Sequence, residues 1–396
     1  MGRRGVPCIH YGDIHGRHGF SLDIDTAPIG RVEHPEELGV GSFVGQGDFL
    51  FAGSSEDLEG SGNFTLLEGE GRAIAGSDTI VAHSSLIHVP RFFAYQFDSL
   101  FVREQIRPQL MGVKVFHPSP RALKPVRLLI PPVAEQLKIA TFLDAKTTEI
   151  DVVVEKLRRQ RELLERYKRE LIAHTVTKGL DTNAPMKDSG IDWIGKIPNR
   201  WHSRSLKSLL TRKSRKGEPS WRVLSVERER GVVDRELEGS PDNNNRLPDD
   251  LSGYLVVRNG QFVMNKMKAW QGSYGVSLYD GIVSPAYYTF DLASSVDSEF
   301  FNWAIRSKAY IPFFGRDSYG IRTDQWDFKV QALRNIPLFV PPVEEQRQIV
   351  EYLVQRLKGI DGLITDLDRQ VELLRRYRKQ IINDVVTGKV RVSEEA

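Results

Sequence analysis

The sequence predicts an α+β protein: two mixed α/β domains separated by two long antiparallel coiled-coil helices, the whole forming a pseudo-two-fold repeat. Three observations carry this reading. A stretch opening at Pro131 recurs from Pro341, each copy bears an apolar heptad stripe, and the segments between the copies alternate β-type runs with glycine-led turns.

The repeat fixes the architecture. Pro131-Pro132-Val133-Ala134-Glu135-Gln136 answers Pro341-Pro342-Val343-Glu344-Glu345-Gln346, and the offset of 210 holds without a gap through Thr177 and Thr387. In the second copy Val350, Leu357, Ile364 and Val371 interleave with Leu353, Ile360, Leu367, Leu374 and Ile381. Apolar residues alternating three and four apart make the seam of a coiled coil. The first copy keeps Leu143, Ile150, Leu157, Leu164 and Leu171, but its other set reads Ala140, Thr147, Val154, Arg161 and Lys168. Two prolines precede each helix, where a missing N–H is harmless, and Gly179 or Gly388 follows, where a left-handed stop is easy. A single rod cannot bury its stripe, so the two copies are expected to pack on each other.

Composition narrows the class. The 396 residues leave room for two or three domains, and 40% hydrophobic with 27% charged content is ordinary for a globular protein. Cys8 is the only cysteine, which excludes an intramolecular disulfide and suits a reducing cytoplasm. No apolar run approaches membrane-spanning length, so no membrane role is expected. Net charge is only +3, yet residues 196–340 carry 22 Lys and Arg against 16 Asp and Glu, while residues 1–130 carry 12 against 15.

In chain order, residues 1–130 form the first domain. Phe49–Phe51, Thr79–Ala82 and Leu86–Val89 read as strands, and Gly45–Asp48, Gly60–Asn63 and Gly69–Gly71 as turns. The first long helix and its end occupy 131–180, and Asp181-Thr-Asn-Ala-Pro185 breaks the pattern as a linker. Residues 181–340 make the second domain with a lead-in at 186–207, and 341–396 the second helix and tail. Gly260-Gln-Phe-Val repeats the Gly47-Asp-Phe-Leu element at an offset of 213, so the repeat unit is a whole module with diverged domains and retained helices. A first-module counterpart of 186–207 would fall before residue 1, so the first domain is expected to begin partway in, without that edge element.

These pieces resemble the specificity subunit of Type I restriction–modification systems. The resemblance rests on both Pro-Pro-Val-x-Glu-Gln helix openings and on Asp188-Ser-Gly-Ile-Asp-Trp-Ile-Gly-Lys-Ile-Pro-x-x-Trp201, similar to the lead-in of a target-recognition domain. Asn265–Gly272 with Tyr279–Tyr287 looks like the core of one class of such domains. Ile9–His15 with Gly47–Asp57 looks like another class. The resemblance implies that each domain reads one half of a bipartite double-stranded DNA sequence. It implies helices that space the halves and dock methyltransferase subunits (two are expected), and a restriction subunit that joins them. Catalysis, including flipping of an adenine for methylation, would belong to the partners.

Candidate contacts follow from side-chain chemistry. Lys266, Lys268, Trp270, Gln271, Ser273 and Tyr274 mix cations, amides and aromatics between glycines; cations suit phosphates, and Gln and Lys suit base edges. Trp270 fits a core position equally well. Ser54, Ser55, Glu56 and Asp57 are candidates in the first domain, and Arg322 in the second. Glu135, Gln136, Glu345 and Gln346 sit in first helical turns, where capping explains them cheaply and subunit docking is the second reading. Gly39-Val-Gly41-Ser-Phe-Val-Gly45 lacks the strand–turn–helix context of a nucleotide loop. His10, His15 and His18 beside Asp13 match no structural zinc spacing. Asp242 with Asp327 and Lys329 is a poor nuclease set, so neither cofactor, metal nor catalytic activity is expected. The competing reading is a coiled-coil scaffold with two protein-binding heads and no DNA role.

Overall fold

Heptad patterning becomes two continuous helices. In a computed structural model, which describes residues 5–16, 18–34, 43–83, 89–110, 114–235, 247–320 and 326–392, the first long helix runs Val133–Lys178 and the second Val343–Val386. Both stop on a left-handed glycine, Gly179 at φ 76° and Gly388 at φ 73°. The inward stripe is the same in both copies. Leu143, Thr147, Ile150 and Val154 are buried and answer Leu353, Leu357, Ile360 and Ile364. Leu157, Arg161, Leu164, Lys168 and Leu171 are half-buried and answer Leu367, Val371, Leu374, Arg378 and Ile381. The polar members of the first copy therefore face inward too. Thr147 does so by donating its hydroxyl to the Leu143 carbonyl one turn back, at 2.8 Å.

The chain divides into two compact units, residues 1–159 with 367–396, and residues 160–366, so each holds one globular domain and one stretch of each long helix. Within each unit the helical stretches run antiparallel. In the first, Asp151 pairs with Arg378 at 3.4 Å; in the second, Lys168 pairs with Asp361 at 2.5 Å. These are one ion pair written twice, because 151 and 361, and 168 and 378, are each 210 apart. Exposed pairs of this kind add little stability, and their recurrence marks a shared register.

In the first unit a four-stranded sheet, in the order Phe20–Asp23, Phe64–Glu68, Phe49–Ala52, Thr79–Ala82, has its alternate side chains on opposite faces. Phe49, Phe51, Phe64 and Leu66 join Phe92, Phe93 and Tyr95 of the helix Pro90–Asp98, and with them Ile139, Ala140, Leu143, Ile382, Val385 and Val386 of the long helices. Leu50, Ala52 and Leu67 face a second core with Ile9, Ile14, Leu22 and Ile24. Of the expected strand at 86–89, residues 86–88 lie outside the described residues, and Val89 is the residue before the helix Pro90–Asp98.

The second unit follows the same plan. Its sheet orders Leu210–Lys213, Tyr287–Leu292, Phe262–Asn265, Tyr274–Val276. Phe262 and Met264 face a large core with Phe300, Phe301, Phe313, Phe314, Leu353 and Leu357, while Val263 faces a smaller one with Leu224, Val257 and Val283. The helix Ser298–Arg306 starts at Asp297, whose carboxylate accepts from the N–H groups of Glu299 and Phe300 at 3.0 and 2.9 Å. No helix among the described residues is long and apolar enough to cross a membrane.

Candidate nucleic-acid interface

The turn between strands Phe262–Asn265 and Tyr274–Val276 presents most of the second domain's candidates. Asn265 accepts the Met267 N–H at 3.1 Å, a short 3-10 turn covers Ala269–Gln271, and Gly272 closes it at φ 93°. Gly272 is needed there because that conformation strains a residue bearing a Cβ. Lys268 is exposed, Lys266 and Gln271 are half-buried, and none of the three side chains has a partner among the described residues. Unspent cations and amides grouped on one turn are what a polyanion contact requires. Trp270 is half-buried and packs on Trp326 with ring centroids 5.2 Å apart.

Ser273 and Tyr274 are placed differently. Ser273 is 2% exposed and Tyr274 fully buried, its ring 4.3 Å from Phe314 and 6.0 Å from Phe262. They belong to the core. The Tyr274 hydroxyl has no hydrogen-bond partner among the described residues, and burial drives its pKa well above the ordinary range for tyrosine. Arg322 lies outside the described residues, as do Gly39, Gly41 and Asp242. Asp327 pairs with Lys329 at 3.1 Å.

Gln271 and Gly272 open onto a cavity of about 600 Å³ that sequence reasoning did not anticipate. Lys168, Arg169, Arg228, Arg230 and Lys308 line it. Most of this charge is engaged: Arg230 with Glu227 at 2.7 Å, Arg228 with Glu229 at 3.3 Å, Lys168 with Asp361, and Lys308 with Glu170. Arg169 has no partner among the described residues. Arg306 anchors the wall, donating to the carbonyls of Tyr274 at 2.6 Å and Glu229 at 2.7 Å, and burial lowers its pKa. The available signal was the Arg228-Glu-Arg230-Gly231 hairpin tip, but nothing local links it to Gln271.

In the first unit Ser54 and Ser55 are buried and build a loop. The Ser54 hydroxyl donates to Asp78, and His15 Nε2 donates to the Ser54 carbonyl at 2.7 Å, leaving Nδ1 to accept from Asn63 at 3.0 Å. Ser55 exchanges backbone bonds with Phe116, both 2.8 Å, and its hydroxyl donates to the Asp57 carbonyl. Glu56 and Asp57 are exposed on this loop. His10 lies 3.6 Å from Cys8, and among the described residues no group of three His, Cys, Asp or Glu side chains is placed to hold a metal ion.

The helix openings are used internally. Gln346 is fully buried, donating to the carbonyls of Pro341 and Ser295 at 2.8 and 3.1 Å and accepting from the Asp297 N–H at 2.7 Å. Glu345, 6% exposed, accepts from Trp201 Nε1 at 3.1 Å and pairs with Arg200 at 2.9 Å. Gln136 is likewise buried and donates to the Pro131 carbonyl at 2.9 Å, whereas Glu135 is exposed. Replacing Trp201 with Phe keeps the packing but removes a charge-assisted bond to a buried carboxylate. A loss of about 1–3 kcal/mol in urea unfolding is expected, and an unchanged midpoint would show the bond to be idle.

Comparisons with known proteins agree with this architecture. No family model matches the sequence. The chain is 26% identical over 316 residues to the Type I restriction enzyme MjaVIII specificity subunit of Methanocaldococcus jannaschii, covering 75% of this chain and 70% of that protein. It is 24% identical over 379 residues to the putative MjaX specificity subunit of the same organism, covering 93% and 84%. The Salmonella potsdam StySPI specificity subunit is 21% identical over 327 residues, covering 76% and 65%. In fold, a chain from a structure of type I R-M system assembly superposes with TM-score 0.64 at 17% identity, over 87% of this chain and 82% of that one. The HsdS subunit from Thermoanaerobacter tengcongensis gives 0.51 at 16% identity, over 90% and 85%. Repeated module, lead-in and helix openings converge with these likenesses: the curated relatives of this chain are Type I restriction enzyme specificity subunits, and its fold is that of solved HsdS structures.

Proposed function

We propose that the chain is the DNA-reading subunit of a Type I complex, each globular domain binding one half of a bipartite duplex target. The observation that carries this is the whole-module repeat: two diverged heads on helical stretches of one shared register, as reading two different half-sites requires. In the second domain Lys266, Lys268 and Gln271 are the side chains free to meet DNA, with Trp270 beside them. In the first, Glu56 and Asp57 are exposed and suited to accept from a cytosine amino group. Methyl transfer and cleavage belong to partner subunits, with no step assigned to residues of this chain. Two methyltransferase subunits would dock on apolar residues exposed at equivalent positions of both helices: Val153 and Leu363, Leu163 and Leu373, Tyr167 and Tyr377.

The test is retardation of duplex DNA by the assembled complex across a salt series. Binding is expected to fall steeply with salt, and Lys266→Ala with Lys268→Ala to flatten the log–log slope by about 2, one unit per lost phosphate contact. A scaffold with protein-binding heads would not retard DNA at all.

A further inference from the structure

Each globular domain meets its long helices through the same elements, and the two contacts differ in charge. In the first unit Arg378 and Lys379 are both answered by the domain: Arg378 by Asp98 at 3.4 Å and Lys379 by Glu59 at 2.5 Å. Asp98 ends the nine-residue helix Pro90–Asp98, and Glu59 lies on the loop joining strands Phe49–Ala52 and Phe64–Glu68.

Lys168 and Arg169 stand 210 residues earlier, at the equivalent positions in the second unit. Both answering carboxylates are replaced there. The helix Ser298–Arg306 corresponds to Pro90–Asp98. Both have nine residues, and each is followed by a serine whose hydroxyl donates three residues back, Ser99 to the Gln96 carbonyl at 2.6 Å and Ser307 to the Ala304 carbonyl at 2.7 Å. The last residue is Arg306 where the first unit has Asp98. The loop between Phe262–Asn265 and Tyr274–Val276 corresponds to the one carrying Glu59, and from Lys266 to Ser273 it holds no acidic residue.

These replacements meet at the cavity of about 600 Å³ beside Gln271 and Gly272, where six cations face two carboxylates, Glu165 and Glu229. Lys168, Lys308, Arg230 and Arg228 are paired with Asp361, Glu170, Glu227 and Glu229, each pair open to solvent on at least one side and so weak enough to exchange for a stronger anion. Arg169 and Arg306 have no carboxylate partner among the described residues, and Glu165, one turn before Arg169, forms no ion pair with it. Arg306 is bonded to the backbone carbonyls of Tyr274, Arg228 and Glu229, which hold the guanidinium without cancelling its charge. Gly231 leaves room for it, since a Cβ there would sit 2.8 Å from Nη1 of Arg306. Fixed, uncompensated cations in a concave wall favour an anion.

We propose that this cavity binds a phosphate group, anchored by Arg169 and Arg306 with Lys168, Arg228 and Lys308 beside them. Two sources carry that chemistry: the backbone of duplex DNA bound along the Lys266–Ser273 turn, and a free oligophosphate. Only the first rests on the DNA reading. The first unit, with Asp98 and Glu59 in place, is not expected to have such a site.

Calorimetric titration of the intact chain with inorganic pyrophosphate tests the site. Saturable one-to-one binding is expected, weakened about tenfold or more by Arg169→Gln and unchanged by Lys379→Gln, whose cation is already spent on Glu59. Arg169 is exposed, so its variant is expected to fold. Retardation of duplex DNA by the assembled complex separates the sources. A log–log salt slope flatter by about 1 with Arg169→Gln assigns the site to a backbone phosphate. An unchanged slope with the pyrophosphate effect intact assigns it to a free phosphate compound. If neither pyrophosphate affinity nor salt slope responds to Arg169→Gln, the proposal is overturned. A complex that fails to retard DNA would sink the DNA reading and leave the pyrophosphate titration to decide the cavity.

Discussion

Exchange of residues 196–340 for the matching segment of another specificity subunit is expected to replace one half of the methylated motif and leave the other half unchanged. The exchanged segment supplies most of the second unit's core: Val176, Ile349, Leu353, Leu357, Ile360 and Ile364 of the helices, with Ile194, remain from the recipient. The incoming segment must therefore present an apolar face to that stripe and a tryptophan to Glu345, which the donor's own lead-in provides if its Trp is retained. Specificity between a site and unrelated sequence spans roughly 10³–10⁷ in affinity, so a changed half-site is a large effect and not a graded one. Expression with the methyltransferase subunits and mapping of methylated adenines reads it directly. If both halves of the motif moved, the two heads would not be independent readers.

What could be read from the sequence was what repeats locally. A heptad stripe is a property of neighbours three and four residues apart, so the helices, their glycine stops and their shared seam were legible, and the offset of 210 carried Thr147, Arg161 and Lys168 onto the same face. The sites were less legible because their partners are distant. Glu345 reads as a first-turn carboxylate, but its tryptophan is 144 residues away. Gln346 is satisfied from Asp297 and Ser295, across the junction of domain and helix. Tyr274 follows glycines and polar residues that suggest a surface turn, yet its strand is covered by the helix Ile311–Arg316, whose Phe314 no spacing rule points to. Ser54 and Ser55 are spent on Asp78, Phe116 and their own loop. Burial on both sides of a strand is a tertiary fact, and it moved these residues from contact candidates to scaffold.

Deletion of one heptad from each long helix, residues 157–163 and 367–373, is expected to shorten the spacer between the half-sites without altering either half. Each helix passes from one unit to the other once, near residues 159 and 366, so the deleted segments adjoin those passages. The pairs Asp151–Arg378 and Lys168–Asp361 lie outside both deletions, so each unit keeps its own register. Seven residues are one full repeat, so the seam re-forms with apolar positions still facing inward. At 1.5 Å per residue each helix loses about 10.5 Å, which corresponds to about 3 base pairs at ~3.4 Å each. The same change turns one half-site by roughly 100° about the duplex at 10–10.5 base pairs per turn. Two outcomes follow from the helices acting as a ruler: a motif with a spacer about 3 base pairs shorter, or loss of methylation because the rotated half-site no longer meets its reader. Recovery of the original motif with its original spacer would instead make the helices a mount for partner subunits, with half-site spacing set elsewhere in the complex.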